Sequence, residues 1–108
     1  MKMVLALINT GQIDNIAKSL DSFGISGMTL CEVTCPTDEK LLFRGQKTPY
    51  YKPMVKIEIA ISDDKVGQLV SLLSNIDDEN DESVEKICVL DLKESVRIRT
   101  GDKNDKSL

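Results

Sequence analysis

From Met54 to Ser62 the chain alternates almost strictly, with Val55, Ile57, Ile59 and Ile61 on one parity and Lys56 and Glu58 on the other. A period of two belongs to a strand, and a strand alternating apolar and charged residues buries one face and wets the other. A sheet covered on one side is therefore the frame into which the rest of the chain must fit. Lys2 to Asn9 differs, because Val4, Leu5, Ala6, Leu7 and Ile8 run unbroken. Such a run suits a central strand covered on at least one face. Each of these strands is followed by a helical period. Ile13, Ile16, Ala17, Leu20 and Phe23 fall at three- and four-residue spacing between Gln12 and Phe23, and Gly24 is the expected stop. Val66, Leu69, Val70, Leu72 and Leu73 repeat the pattern behind Ser62-Asp63-Asp64, which offers an N-cap and negative charge at a helix start.

Ile25 to Thr34 and Lys86 to Leu92 read as the two remaining strands. The order is strand-helix-strand, a long connection, then strand-helix-strand. This predicts an α+β fold, a ferredoxin-like βαββαβ sandwich in which the repeat is architectural rather than one of sequence identity. So small a sheet leaves a face in need of cover, and self-association would supply it. With 108 residues the chain is one domain, and with no Trp and only two Phe and two Tyr its core must be aliphatic.

Composition excludes several functions. The 41% hydrophobic and 30% charged residues are those of a soluble globular protein, and the short apolar run at the N-terminus cannot span a membrane. The net charge of −4 and the scattered basic residues argue against a nucleic-acid binder. Three cysteines, Cys31, Cys35 and Cys88, have no metal-ligand spacing, and there is no His. They read as reduced thiols of a cytoplasmic protein, with Cys31 and Cys35 buried rather than redox-paired. No nucleophile–base pair and no paired acids stand out, so catalysis is not expected.

Three segments fall outside the periodic pattern. Residues 35–53 contain Pro36, Pro49 and Pro53 and no sustained period, and they read as a long loop. Its Lys40, Arg44, Lys47 and Lys52, interleaved with Phe43, Tyr50 and Tyr51, fit either ordinary solubility or a partner-docking surface. Asp77 to Glu85 carries six acids and reads as an exposed, solvated loop rather than a calcium site. In the C-terminal segment 94–108, Val96-Arg97-Ile98-Arg99 reads as extended, with both guanidinium forks on one side and Ile98 on the other. Thr100-Gly101 permits a tight turn, and a polar, ragged end follows.

Four stretches carry a family resemblance. Gly24-Ile25-Ser26-Gly27-Met28-Thr29-Leu30-Cys31-Glu32-Val33, Phe43-Arg44-Gly45, Val55-Lys56-Ile57-Glu58-Ile59 and Val96-Arg97-Ile98-Arg99-Thr100-Gly101 occur in order and at compatible spacing. Together they resemble the signatures of the PII signal-transduction proteins. A different trimeric ferredoxin-like family, CutA, would not account for the R-I-R-T-G run. The resemblance implies a homotrimer with nucleotide clefts between subunits. It also implies a T-loop, here 35–53, that docks on a transporter or metabolic enzyme, and a B-loop, here 77–86. Matched by position, Thr29 lies near the adenine, and Lys86, Arg97 and Arg99 hold phosphates of ADP, AMP or ATP. Phe43, Arg44, Tyr50 and Tyr51 become the docking residues.

The departures from the pattern are informative. Where the family has G-x-G-R-Q, this chain has Cys35-Pro36-Thr37-Asp38-Glu39, and G-D-G-K has become Ser83-Val84-Glu85-Lys86. Met54 stands in place of the lysine that pairs with 2-oxoglutarate. The T-loop is shorter and lacks the modifiable tyrosine in register. A divergent PII-like protein without 2-oxoglutarate sensing is expected, in nitrogen or inorganic-carbon metabolism, with bicarbonate a candidate co-ligand. The alternative is a trimeric scaffold that has lost nucleotide binding.

Overall fold

The computed structural model describes residues 1–25, 27–43, 46–75 and 84–108, with backbone only for 37–43, 46–50 and Glu85. The order is β1 (Lys2–Asn9), α1 (Ile13–Phe23), β2 (Thr29–Phe43), β3 (Gln46–Ile61), α2 (Asp63–Ser74) and β4 (Val84–Asp91), with 3-10 turns at Thr10–Gln12 and Asn104–Ser107. The four strands form one sheet in the order β2-β3-β1-β4, with every neighbouring pair antiparallel. This is the expected ferredoxin-like arrangement.

Alternation along the two central strands decides which face is covered. Val4, Ala6 and Ile8 of β1 and Val55, Ile57, Ile59 and Ile61 of β3 are buried beneath Ile16 and Leu20 of α1 and Leu69 and Leu73 of α2. Ile57 pairs with Ala6 on one side and Leu30 on the other, and its side chain is fully buried. Ile57→Val should therefore cost about 1 kcal/mol, read as a lower urea midpoint with an unchanged slope.

Helix α1 stops where predicted. Gly24 has φ 97°, left-handed, and its N–H donates to the Asp21 carbonyl at 3.0 Å. The start of α2 departs in detail. Ser62 occupies the N-cap position, but its side chain makes no capping hydrogen bond. Its carbonyl instead accepts from Lys65 N–H at 3.1 Å, while the Met1 ammonium donates to Asp63 at 2.7 Å. That hydrogen bond holds the Asp63 carboxyl below its ordinary range.

Three boundaries change what the sequence implied. Strand β2 starts at Thr29 rather than Ile25. Residues 35–53 are not a structureless loop: β2 and β3 continue through them as an antiparallel ribbon, pairing as far as Phe43 with Gln46. The prolines are compatible because β1 ends at the Asn9–Met54 pair, so beyond Met54 both strands of the ribbon are edges. An edge strand can accommodate a residue without an N–H. A register shift falls between Pro36 and Lys40, where 37–39 oppose Tyr50 alone.

Strand β4 begins at Val84 rather than Lys86. Val84 pairs with Ile8 and Lys86 with Leu7, leaving Glu85 as the extra residue of a bulge. Val84 packs on the core, so the end of the expected B-loop belongs to the sheet. The remainder of the acidic run, 77–83, lies outside the described residues.

Candidate functional site

Strand register places the expected site residues more sharply than their spacing could. Residues directly opposite one another in an antiparallel pair share a face. One row across the sheet reads Cys31, Lys56, Leu7, Lys86, and the next reads Thr29, Glu58, Leu5, Cys88. Both rows lie on the face that α1 and α2 do not cover. Thr29 is on edge strand β2 and Lys86 on the opposite edge, β4. Three strand spacings separate those edges, roughly 14 Å. A single subunit therefore presents Thr29 and Lys86 at the two ends of one face and does not join them in one cleft.

That face is largely apolar. Met3, Leu5, Leu7, Val33 and Cys88 are half-buried, and Leu90 is 48% exposed. At its centre Lys56 pairs with Glu58 at 3.2 Å, each side chain about one-third exposed. Cys31 is exposed, not buried as its place in a strand suggested, because β2 is an edge strand and the residue points to the uncovered side. Met54 is fully buried, and its uncharged thioether presents no cation to a ligand.

The two arginines are held by a separate small structure. Val96 and Lys103 form an isolated antiparallel bridge, Arg97 N–H donates to the Asp102 carbonyl at 2.8 Å, and Gly101 N–H donates to the Arg97 carbonyl at 2.8 Å. Residues 98–100 form the turn, and Gly101 has φ 76°. The Thr100-Gly101 turn is as expected. The extended reading of Val96 to Arg99 is not, because the backbone hydrogen bonds around Arg97 close the chain on itself before Arg99. Ile98 sits at the turn, 89% exposed.

The Arg97 guanidinium donates through Nε (3.1 Å) and Nη2 (3.0 Å) to the Ser107 carbonyl. Arg99 is exposed and, among the described residues, makes no side-chain hydrogen bond or ion pair. The structure thus gathers Arg97 and Arg99 into one hairpin and leaves Lys86 on β4 and Thr29 on the far edge. No sequence signal pointed to Ser107; its burial arises only when the chain folds back after Lys103.

Of the expected docking residues, Tyr51 is 57% exposed on the ribbon and pairs with Pro36. Arg44 lies outside the described residues, as do the side chains of Phe43 and Tyr50. Among the described residues no group of metal-binding side chains occurs, and no helix is long and apolar enough to cross a membrane. A groove between α1 and α2, lined by Ser19, Gly67 and Ser71 among others, contains none of the expected site residues.

The family profile described as "Nitrogen regulatory protein P-II" matches residues 1–102. This chain belongs to the P-II family. Among its relatives, the Nitrogen regulatory protein GlnK of Escherichia coli K12 is 31% identical, with both chains covered in full. The Nitrogen regulatory protein P-II of Pasteurella multocida Pm70 is 32% identical, and P-II 1 of Escherichia coli K12 33%, at the same complete coverage. A P-II match running through the C-terminal hairpin to Asp102 covers the sheet and both arginines, so the family assignment and the fold agree over nearly the whole chain.

Proposed function

We propose that this P-II protein is a non-enzymatic regulator that assembles as a homotrimer and binds an adenine nucleotide between subunits. In this reading, Thr29 of one subunit faces Lys86, Arg97 and Arg99 of its neighbour. The observation that carries it is the placement of Thr29 and Lys86 at opposite edges of one uncovered face. A site needing both must be completed by a second copy, and copies joined edge to opposite edge form a head-to-tail interface, which makes a closed ring when the rotation between copies divides a full turn. The apolar character of the face supports its being covered in the assembly. The cations suit phosphates, since guanidinium forks match phosphate oxygens.

The β2–β3 ribbon would carry the signal to a transporter or metabolic enzyme, with Tyr51 on it and Phe43 in its last pair. The names of the relatives favour nitrogen regulation; inorganic carbon, with bicarbonate as co-ligand, is the narrower alternative pathway. The competing reading, a trimeric scaffold without a nucleotide, draws on Glu85, a carboxylate residue beside Lys86 where the family has glycine. Titration calorimetry separates the two. Saturable heat with ADP, AMP or ATP is expected, and no heat with any of the three would leave only the scaffold. Adding 2-oxoglutarate with ATP should produce no further heat, because buried Met54 offers no cation to its carboxylate.

A further inference from the structure

The C-terminal turn is tied to Arg97 more tightly than a ragged tail would be. Ser107 is only 7% exposed. Its hydroxyl donates to Ser95 Oγ at 2.7 Å and lies 2.6 Å from the Asn104 carbonyl, while Asn104 N–H donates to the Ser95 carbonyl at 2.6 Å. Asn104 itself is left-handed, φ 56°, which reverses the chain after the Val96–Lys103 bridge. Ser95 and Arg97, two residues apart, thus both reach Ser107, one through its hydroxyl and the other through its carbonyl. The contact uses Nε–H and one Nη2–H of Arg97. The Nη1/Nη2 edge makes no hydrogen bond among the described residues, and Arg97 has no carboxylate partner among them.

We propose that the turn Asn104–Ser107 is the positioning element of the anion site, with Ser107 a positioning residue that holds Arg97 through its main-chain carbonyl and leaves the outer guanidinium edge aimed at a phosphate. The inference rests on the nucleotide reading above. Its physical basis is preorganisation: a guanidinium already fixed on one edge loses less rotamer freedom when an anion takes the other. A neutral carbonyl oxygen also orients the cation without cancelling its charge.

The test compares the full chain, a chain ending at Lys103, and Ser107→Ala, each titrated with ADP and each labelled with nitrogen-15 arginine. In the full chain, the Arg97 Nε–H resonance should exchange slowly before ADP is added. Removing 104–108 should abolish that protection and weaken ADP binding about tenfold, the order expected for releasing one long side chain. Ser107→Ala, which keeps the carbonyl but loosens the turn, should fall between. The residues removed make no part of the aliphatic core, so the melting curve should barely move. ADP binding that is unchanged or tighter in the shortened chain overturns the proposal; tighter binding would make the turn a competitor for Arg97. If the full chain binds no nucleotide at all, the nucleotide reading fails and the proposal is overturned with it. Binding by the full chain with no loss on shortening defeats the positioning role alone.

Discussion

Leu5→Asp is expected to split the proposed trimer into single chains of 12.0 kDa by light scattering at micromolar concentration. Leu5 lies on the uncovered face of central strand β1, opposite Glu58 of β3 and Cys88 of β4. In a separated subunit the new carboxylate is solvated and the fold survives, since the buried core lies on the other face. In the proposed trimer it would be buried beside the Glu58 carboxylate, with Lys56 already engaged by Glu58. Burying an unpaired charge costs about 3 kcal/mol or more, at least a hundredfold in association. Leu5→Ala, which removes area without adding charge, should weaken the assembly far less. A mass that remains at three chains for Leu5→Asp would show that this face is not the one covered.

The second large effect concerns the arginines. Arg97→Ala should weaken ADP or ATP binding about thirtyfold or more, because charge-assisted hydrogen bonds contribute about 1.5–3 kcal/mol each and about 1.4 kcal/mol is a factor of ten. Arg97 also carries Ser107, so its removal loosens the turn as well as deleting a cation. Arg99→Ala is the cleaner companion, since that side chain makes no hydrogen bond among the described residues. Its loss should weaken binding while the 95–107 hairpin keeps its amide protection. For wild type, affinity should fall as salt is raised, the mark of an electrostatic site open to solvent. Arg44→Ala, at a residue expected to dock the partner, should leave nucleotide binding unchanged. If Arg97→Ala and Arg99→Ala both bind as wild type does, neither arginine belongs to the site.

Some of this could be read directly from the residues. The period of two from Val55 to Ile61, the unbroken run in β1 and the helical spacings ahead of Gly24 each reflect a constraint acting within a few residues. Local periodicity therefore suffices to place β1, both helices and the buried half of β3. The R-I-R-T-G run similarly announced a turn, because Gly101 has the positive φ that such a turn requires. What misled was context. Three prolines argue for a loop when each residue is weighed alone, yet they sit where β1 has ended and each ribbon strand needs pairing on one side only. Cys31 reads as interior because it is in a strand, but its edge position and parity put it on the uncovered face.

The sequence by itself determined the order of elements, the aliphatic core, the family and the identity of the cationic residues, all of which are written in short-range pattern. Only the tertiary structure decided where those residues stand. Register set Thr29 and Lys86 at opposite edges of one face, a bulge at Glu85 drew Val84 into the sheet, and a reversal at Asn104 brought Ser107 onto Arg97. Each depends on pairing between residues distant in sequence or on a backbone reversal, and a one-residue change of register turns a side chain to the other face.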